Sequence, residues 1–244
     1  MNPLIIALDV DSAAGAEKLI GEIGPAAEFY KVGMELYAVA GTDFVHQIHA
    51  HGKKVFLDLK LYDISETVKR ATRSICESGA VHFLTVHGSN AVMKAAVEGR
   101  GSAITQLLAV TVLTSFDEED LRDLGYPVPV PHLVELRVRK AVESGINGIV
   151  CSPLEVRRVR EIAGPGLKLV TPGVRSSGAS TGDQKRVATP RDAIANGADY
   201  LVIGRQVTRA ANPKAACESI LAEINEASPR RFPAIPQPDP IRAV

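Results

Sequence analysis

Tryptophan is absent from this 244-residue chain, and aromatic residues make up only 5% of it. That scarcity argues against a ring platform for stacking nucleobases. No charge is in excess, because 28 Lys and Arg balance 28 Asp and Glu, so net charge indicates neither a nucleic-acid nor a membrane-surface partner. Cysteine is scarce too: Cys76, Cys151 and Cys217 are odd in number, scattered, and free of CxxC spacing. Such usage favours reduced thiols in a cytoplasm over a disulfide framework. No apolar run approaches the ~20 residues of a membrane span, and Met1-Asn2-Pro3 lacks the basic start of a secretion signal. The chain reads as cytoplasmic.

What is present is an ordinary globular composition, 45% hydrophobic and 23% charged, arranged in a rhythm. Short β-branched or apolar runs recur at Leu4–Leu8, Phe29–Val32, Val55–Leu59, Phe83–Val86, Leu107–Val112, Gly148–Val150, Leu167–Val170 and Tyr200–Ile203. Helical patterns separate them, as in Ala13–Ile23, Asp43–His51, Ser65–Ser78, Asn90–Glu98, Leu133–Ser144, Leu154–Ile162 and Arg191–Asn196. Asn212 before Pro213 is an N-cap with proline at the first helical position, opening a last helix. Successive strand–helix units read as a parallel sheet. Repeated eight times in about 250 residues, they favour an α/β fold, a closed (β/α)8 TIM barrel, over a doubly wound open sheet. No linker divides residues 1–227, which are read as one catalytic domain. Residues 228–244 carry Pro229, Pro233, Pro236, Pro238 and Pro240 and read as an extension outside it. The run Pro127-Val-Pro-Val-Pro131 predicts a stiff extended connection.

A β/α barrel carries its chemistry at the carboxyl ends of the strands. There stand Asp9 and Asp11, Lys31, Asp58 and Lys60, His87 and Asn90, and Thr111 and Thr114. In Phe56-Leu57-Asp58-Leu59-Lys60, period-two alternation turns both leucines to the helices and both charges to the barrel mouth. Charges there are costly unless paired, so Asp58 and Lys60 are either a structural ion pair or part of a site. Asp9 and Lys31 end the adjacent strands, and an array of alternating sign exceeds what a plug requires. A second cluster follows the last two strands: Thr171-Pro172-Gly173-Val174-Arg175, a Ser/Gly/Thr-rich loop to Asp183-Gln184, and Gly204-Arg205. Backbone N–H groups, a helix start and arginine suit a phosphate there, although each arginine alone could be a surface ion pair. The 176–183 loop reads as a lid.

Taken in order, Ala7-Leu8-Asp9, Lys31-Val32-Gly33, Asp58-x-Lys60-x-x-Asp63, Leu113-Thr114-Ser115, Thr171-Pro172-Gly173-Val174-Arg175, Asp183-Gln184 and Gly204-Arg205 resemble the bacterial orotidine 5′-phosphate decarboxylase family. The likeness spans roughly residues 4 to 225. It implies a homodimeric barrel that converts orotidine 5′-monophosphate to uridine 5′-monophosphate and carbon dioxide, in pyrimidine biosynthesis, with no metal and no cofactor. By the same resemblance Lys60 is the proton donor to C6, and Asp58 lies beside the leaving carboxylate. Lys31 and Asp9 hold the ribose and complete the charge array. Asp63 and Thr67 reach the neighbouring subunit's site. Thr114 contacts substrate, while Gln184, Gly204 and Arg205, with Arg175 beside them, grip the phosphate.

Two rivals remain at this point. Metal-dependent sugar-phosphate enzymes of the same superfamily share the Asp-x-Lys-x-x-Asp string but typically carry glutamate where Lys31 stands, since a magnesium ion needs an anionic ligand. A non-catalytic phosphate-binding barrel would not need the Lys–Asp alternation. His46, His49 and His51 read as a solvated helix end rather than a metal site, and Cys151 as a packed thiol.

Overall fold

The computed structural model describes residues 2–176 and 188–226. Gln184, most of the expected 176–183 lid and the proline-rich extension lie outside the described residues. The strands are β1 (Leu4–Ala7), β2 (Phe29–Gly33), β3 (Lys54–Leu61), β4 (Phe83–His87), β5 (Gln106–Val110), β6 (Gly148–Val150), β7 (Lys168–Thr171) and β8 (Tyr200–Ile203). Each pairs in parallel with the next, and β1 meets β8 with Leu4 opposite Leu201, closing a (β/α)8 barrel. The helices are α1 (Ala13–Ile23), α2 (Met34–Ala50), α3 (Ser65–Glu77), α4 (Asn90–Arg100) and α5 (Glu118–Asp123). They continue as α6 (Val130–Ser144), α7 (Val156–Ala163), α8 (Pro190–Ala195), α9 (Arg205–Thr208) and α10 (Pro213–Asn225). None of these helices is long and apolar enough to cross a membrane.

Strand parity divides the apolar residues into two cores. Leu4, Ile6, Val32, Leu57, Leu84 and Ile203 face outward against the helices. Ile5, Phe29, Phe56, Phe83, Leu108, Val170 and Tyr200 face inward. The inner aromatics interlock: Phe83 meets Tyr200 edge-on at 5.3 Å between ring centroids, and Phe56 at 6.0 Å. The rings fill the interior, and above them, at the carboxyl ends of the strands, the inward-facing positions become polar. The inward parity set continues there, as Lys31 after Phe29, Asp58 after Phe56 and Thr85 after Phe83.

Local rules explain most helix ends. Ser12 caps α1 by accepting from the Gly15 amide, and Asn212 caps α10 by accepting from Ala215, with Pro213 in the first turn. One expectation needs correction, and two helical segments are additional. Pro127–Pro131 is not extended throughout: Pro129 is the N-cap of α6, which starts at Val130 and takes Pro131 into its first turn. Helix α2 is broken at Gly41 (φ 63°): the segment after the break carries the helix expected over Asp43–His51, and the segment from Met34 up to the break is an additional one. Helix α5 was not foreseen, yet Asp117 and Asp120 form a reciprocal capping box at its start. The Glu118 carboxylate then accepts the Val130 N–H at 3.0 Å, tying α5 to the start of α6.

Two glycines separate helix propensity from packing. Gly21 in α1 has open space where a Cβ would stand, whereas a Cβ at Gly99 in α4 would overlap the Lys69 carbonyl of α3. Gly21→Ala should therefore stabilise the fold by about 0.5–1 kcal/mol. Gly99→Ala gains the same propensity but should lose about 1–3 kcal/mol net to overpacking. Urea midpoints at unchanged slope measure both, and equal stability of the two variants would contradict the close α3–α4 approach.

Candidate active site

The site is built on Asp58. Its side chain is only 14% exposed, and Lys60 Nζ donates to its two oxygens at 2.9 and 3.0 Å. The Thr85 hydroxyl donates to Oδ1 at 2.9 Å, and Lys31 Nζ stands 3.8 Å from Oδ2. Lys31, itself 11% exposed at the side chain, donates to Asp9 Oδ1 at 2.7 Å. The result is a row of alternating charge, Asp9, Lys31, Asp58, Lys60, across the mouths of β1, β2 and β3. Removing each ion from water costs several kcal/mol. An opposite charge about 4 Å away returns on the order of 4 kcal/mol at an effective dielectric near 20. Asp58 and Lys31, the two enclosed ions, are tolerable only with such partners, whereas Asp9 and Lys60 keep contact with water.

Gly33 makes the row possible. A Cβ at that position would come within 2.8 Å of Lys31 Nζ and 3.2 Å of Asp9 Oδ1. Lys60 reaches Asp58 through a feature that simple alternation does not contain. Its φ is 50°, the sole non-glycine positive φ among the described residues. Around it β3 leaves register: Leu57 opposes Leu84, but Leu61 opposes Val86. A left-handed backbone at a lysine costs on the order of 1–3 kcal/mol.

Two cavities meet over this row, with Lys31, Pro172 and Val202 lining both. One, of about 230 Å³, holds Asp58 and Lys60 against Val110, Val112 and Val150, with Thr114 at its edge. The other, of about 490 Å³, carries Gly204, Arg175, Arg205 and Arg209. Burial, and then the charge of Arg205, pull the Arg175 guanidinium below its ordinary value. Cations gathered around a recess of this kind suit an anion with several oxygens. The Gln206 side chain bonds Ser176 in both directions, accepting from its amide at 3.1 Å and donating to its hydroxyl at 2.7 Å, which ties the segment leaving β7 to α9.

Asp9, Lys31, Asp58, Lys60, Thr114, Arg175, Gly204 and Arg205 are thus brought to one place. Asp63 and Thr67 line neither cavity; Asp63 is exposed and accepts the Ile64 amide at 2.7 Å. His87 lines neither cavity; it stacks on Tyr62 at 4.3 Å, and its Nδ1 is buried without a hydrogen-bond partner. Thr111 is buried and donates to the Val150 carbonyl at 3.2 Å, a structural role. Asp11 and Asn90 are exposed, as are His46, His49 and His51. Cys151 is fully buried in the wall of the smaller cavity. Sequence reasoning overlooked Thr85, Arg209 and Glu35. The signal for Arg209 was its spacing of four from Arg205, about one helical turn, which here makes it the C-cap of α9.

Known proteins resemble this chain over most of its length. The family model described as "Orotidine 5'-phosphate decarboxylase / HUMPS family" matches residues 2–220. The chain is 53% identical over 221 residues to an orotidine 5'-phosphate decarboxylase of Rhodopseudomonas palustris (strain BisA53), covering 91% of this chain and 94% of that one. It is 52% identical to one from Bradyrhizobium sp. (strain ORS 278), covering 91% and 90%. A crystal structure of orotidine 5'-phosphate decarboxylase from Lactobacillus acidophilus superposes with a TM-score of 0.81 at 36% identity, over 92% of this chain and 100% of that one.

Two outcomes follow from these contacts. Gly33→Ala should fold with its melting point within about 2–4 °C of the parent, roughly 1 kcal/mol for a domain this size. Its crystal structure should show Lys31 displaced from Asp9; an undisturbed 2.7 Å contact would refute the packing argument. Burial, then the charge of Arg137, hold the His87 imidazole down at about 4, against 6.5 when free. The unfolded chain therefore takes up this proton first, so His87 costs stability as pH falls from 6.5 toward 4. Urea midpoints should drop less steeply for His87→Gln than for the parent across that window.

Proposed function

Because this chain belongs to the orotidine 5'-phosphate decarboxylase / HUMPS family, we propose that it removes carbon dioxide from orotidine 5′-monophosphate to give uridine 5′-monophosphate. The reading is carried by one observation: the charge row of Asp9, Lys31, Asp58 and Lys60 lies beside an arginine-lined recess. Each cavity falls in or near the several-hundred-Å³ range of small-molecule sites, and together they offer an anionic subsite next to a mostly apolar one.

In this reading the phosphate binds Arg205 and Arg175, the Gly204 backbone and Gln184, while Lys31 and Asp9 take the ribose hydroxyls. The pyrimidine enters the smaller cavity, with Thr114 at its edge and C6 toward Lys60. The C6–carboxylate bond breaks, its electron pair stays on C6, and carbon dioxide leaves. That pair lies in the ring plane, where the π system cannot spread it, so stabilisation falls to the site. The Lys60 ammonium supplies the opposing charge, then transfers a proton from Nζ to C6 and is reprotonated from water. Asp58 next to the departing carboxylate adds repulsion of about 4 kcal/mol at 4 Å and an effective dielectric near 20. This is short of the ~8–23 kcal/mol that enzymes supply, so transition-state stabilisation is the larger contribution.

The chemistry requires neither metal nor cofactor. The Lys31 ammonium stands between the Asp9 and Asp58 carboxylates, 2.7 and 3.8 Å from them, so a divalent cation there would meet a like charge. That disfavours the metal-dependent branch. We further read the enzyme as a cytoplasmic homodimer in which Asp63 and Thr67 serve the neighbouring site. Tyr62 and Ile64, exposed by 69% and 73%, flank Asp63, and covering them would carry its carboxylate to a partner.

Purified protein should turn over orotidine 5′-monophosphate in the presence of chelator, followed by loss of orotate absorbance. Lys60→Ala should lower kcat by at least about a thousandfold; an active Lys60→Ala variant sinks the mechanism. Lys60→Ala and Asp63→Asn homodimers should each be nearly inactive, while subunit exchange between them restores one working site per heterodimer. Mixed dimers that form but stay inactive would place Asp63 in its own chain's site.

A further inference from the structure

We propose that Thr85 is a positioning residue for the reaction: its hydroxyl holds Lys60 in the left-handed backbone and so sets where the Lys60 ammonium stands. The inference rests on the reading of Lys60 as proton donor. Thr85 is fully buried on β4, in the inward set above Phe83. A threonine oxygen carries one proton and two lone pairs. Here the directions are forced. The Lys60 amide can only donate, so at 2.9 Å the Thr85 oxygen accepts from it. The hydroxyl proton is then left for Asp58 Oδ1, also at 2.9 Å, and the same Oδ1 receives Lys60 Nζ at 2.9 Å. One side chain therefore closes a ring from the Lys60 backbone, through Asp58, to the Lys60 ammonium.

The need for such a tie comes from β3. Where the strand leaves register with β4 between Leu57 and Leu61, the Lys60 N–H points to a side-chain oxygen instead of a ladder carbonyl. A buried amide without a partner is rarely left standing, and a non-glycine residue at φ 50° persists only when its surroundings hold it. The Thr85 hydroxyl meets both demands and orients the carboxylate as well. Neither cavity lining includes Thr85, which separates it from groups that touch substrate.

Thr85→Val keeps the side-chain volume and deletes the hydroxyl, whereas Thr85→Ser keeps the hydroxyl. With folded protein confirmed by circular dichroism, Thr85→Val should lower kcat about 10- to 100-fold, as a misplacement near 1 Å does, with KM within about threefold. Thr85→Ser should stay within about threefold of the parent in both constants. A Thr85→Val enzyme with parental kcat, or one whose KM carries the loss, overturns the proposal. Thr85→Ala, judged by the same criteria, replaces Thr85→Val if the latter does not fold. The crystal structure of the variant tests the geometry independently of the substrate: Lys60 should leave the left-handed region or its ammonium should leave Asp58. Retention of both would refute the role of Thr85 even if the reaction proved to be another.

Discussion

Asp58 is the constraint around which the upper barrel is organised. The oxygens of a carboxylate this enclosed need donors and opposite charge close by, and Lys60, Thr85 and Lys31 answer that demand from three different strands. Two of them, Thr85 and Lys31, are themselves buried. Lys31 in turn requires Asp9, and Lys31 together with Asp9 requires that residue 33 have no side chain. The ring-filled interior below keeps water away and raises the worth of every contact above it. The charged groups form one unit, and removing Asp58 or Lys31 leaves an uncompensated charge in an enclosed place.

The site is divided along the barrel mouth. Strands β1 to β3 and their ends contribute the paired charges, while the segments after β7 and β8 contribute cations without a comparable run of acids. Under the proposed function this division has a purpose. Energy gained where the phosphate sits orients the base at the other end, where only interactions that strengthen in the transition state accelerate the reaction. Lys31, Pro172 and Val202 border both cavities and join the two ends.

Much of this was readable before any coordinates. The alternation in Phe56-Leu57-Asp58 placed Asp58 inward, and Asn212-Pro213 marked the start of the last helix, because both depend on neighbouring residues alone. What escaped notice had short or composite signals. Helix α5 is only six residues long, and its capping box uses aspartate where glutamate is usual. Proline in the 127–131 run suggested extension, yet Pro131 occupies a first turn, where its missing N–H costs nothing. The position of His87 at the end of its strand does not decide between the pocket and a structural role; packing does, by setting it against Tyr62.

By itself the chain's order of residues determined the eight strand–helix units, the inward and outward faces, and which strand ends carry charge, since these follow from period, capping and polarity over a few residues. Only the closed barrel decided how the charges meet. Period-two alternation rightly sent Lys60 toward Asp58, but the contact depends on a register shift against β4 and on the hydroxyl of Thr85, 25 positions away in the chain. Arg209 and Glu35, likewise, share a cavity because β2 and β8 flank β1 once the sheet has closed. Local chemistry can say that a buried ion needs a partner; which partner arrives is settled by the strands that closure makes neighbours.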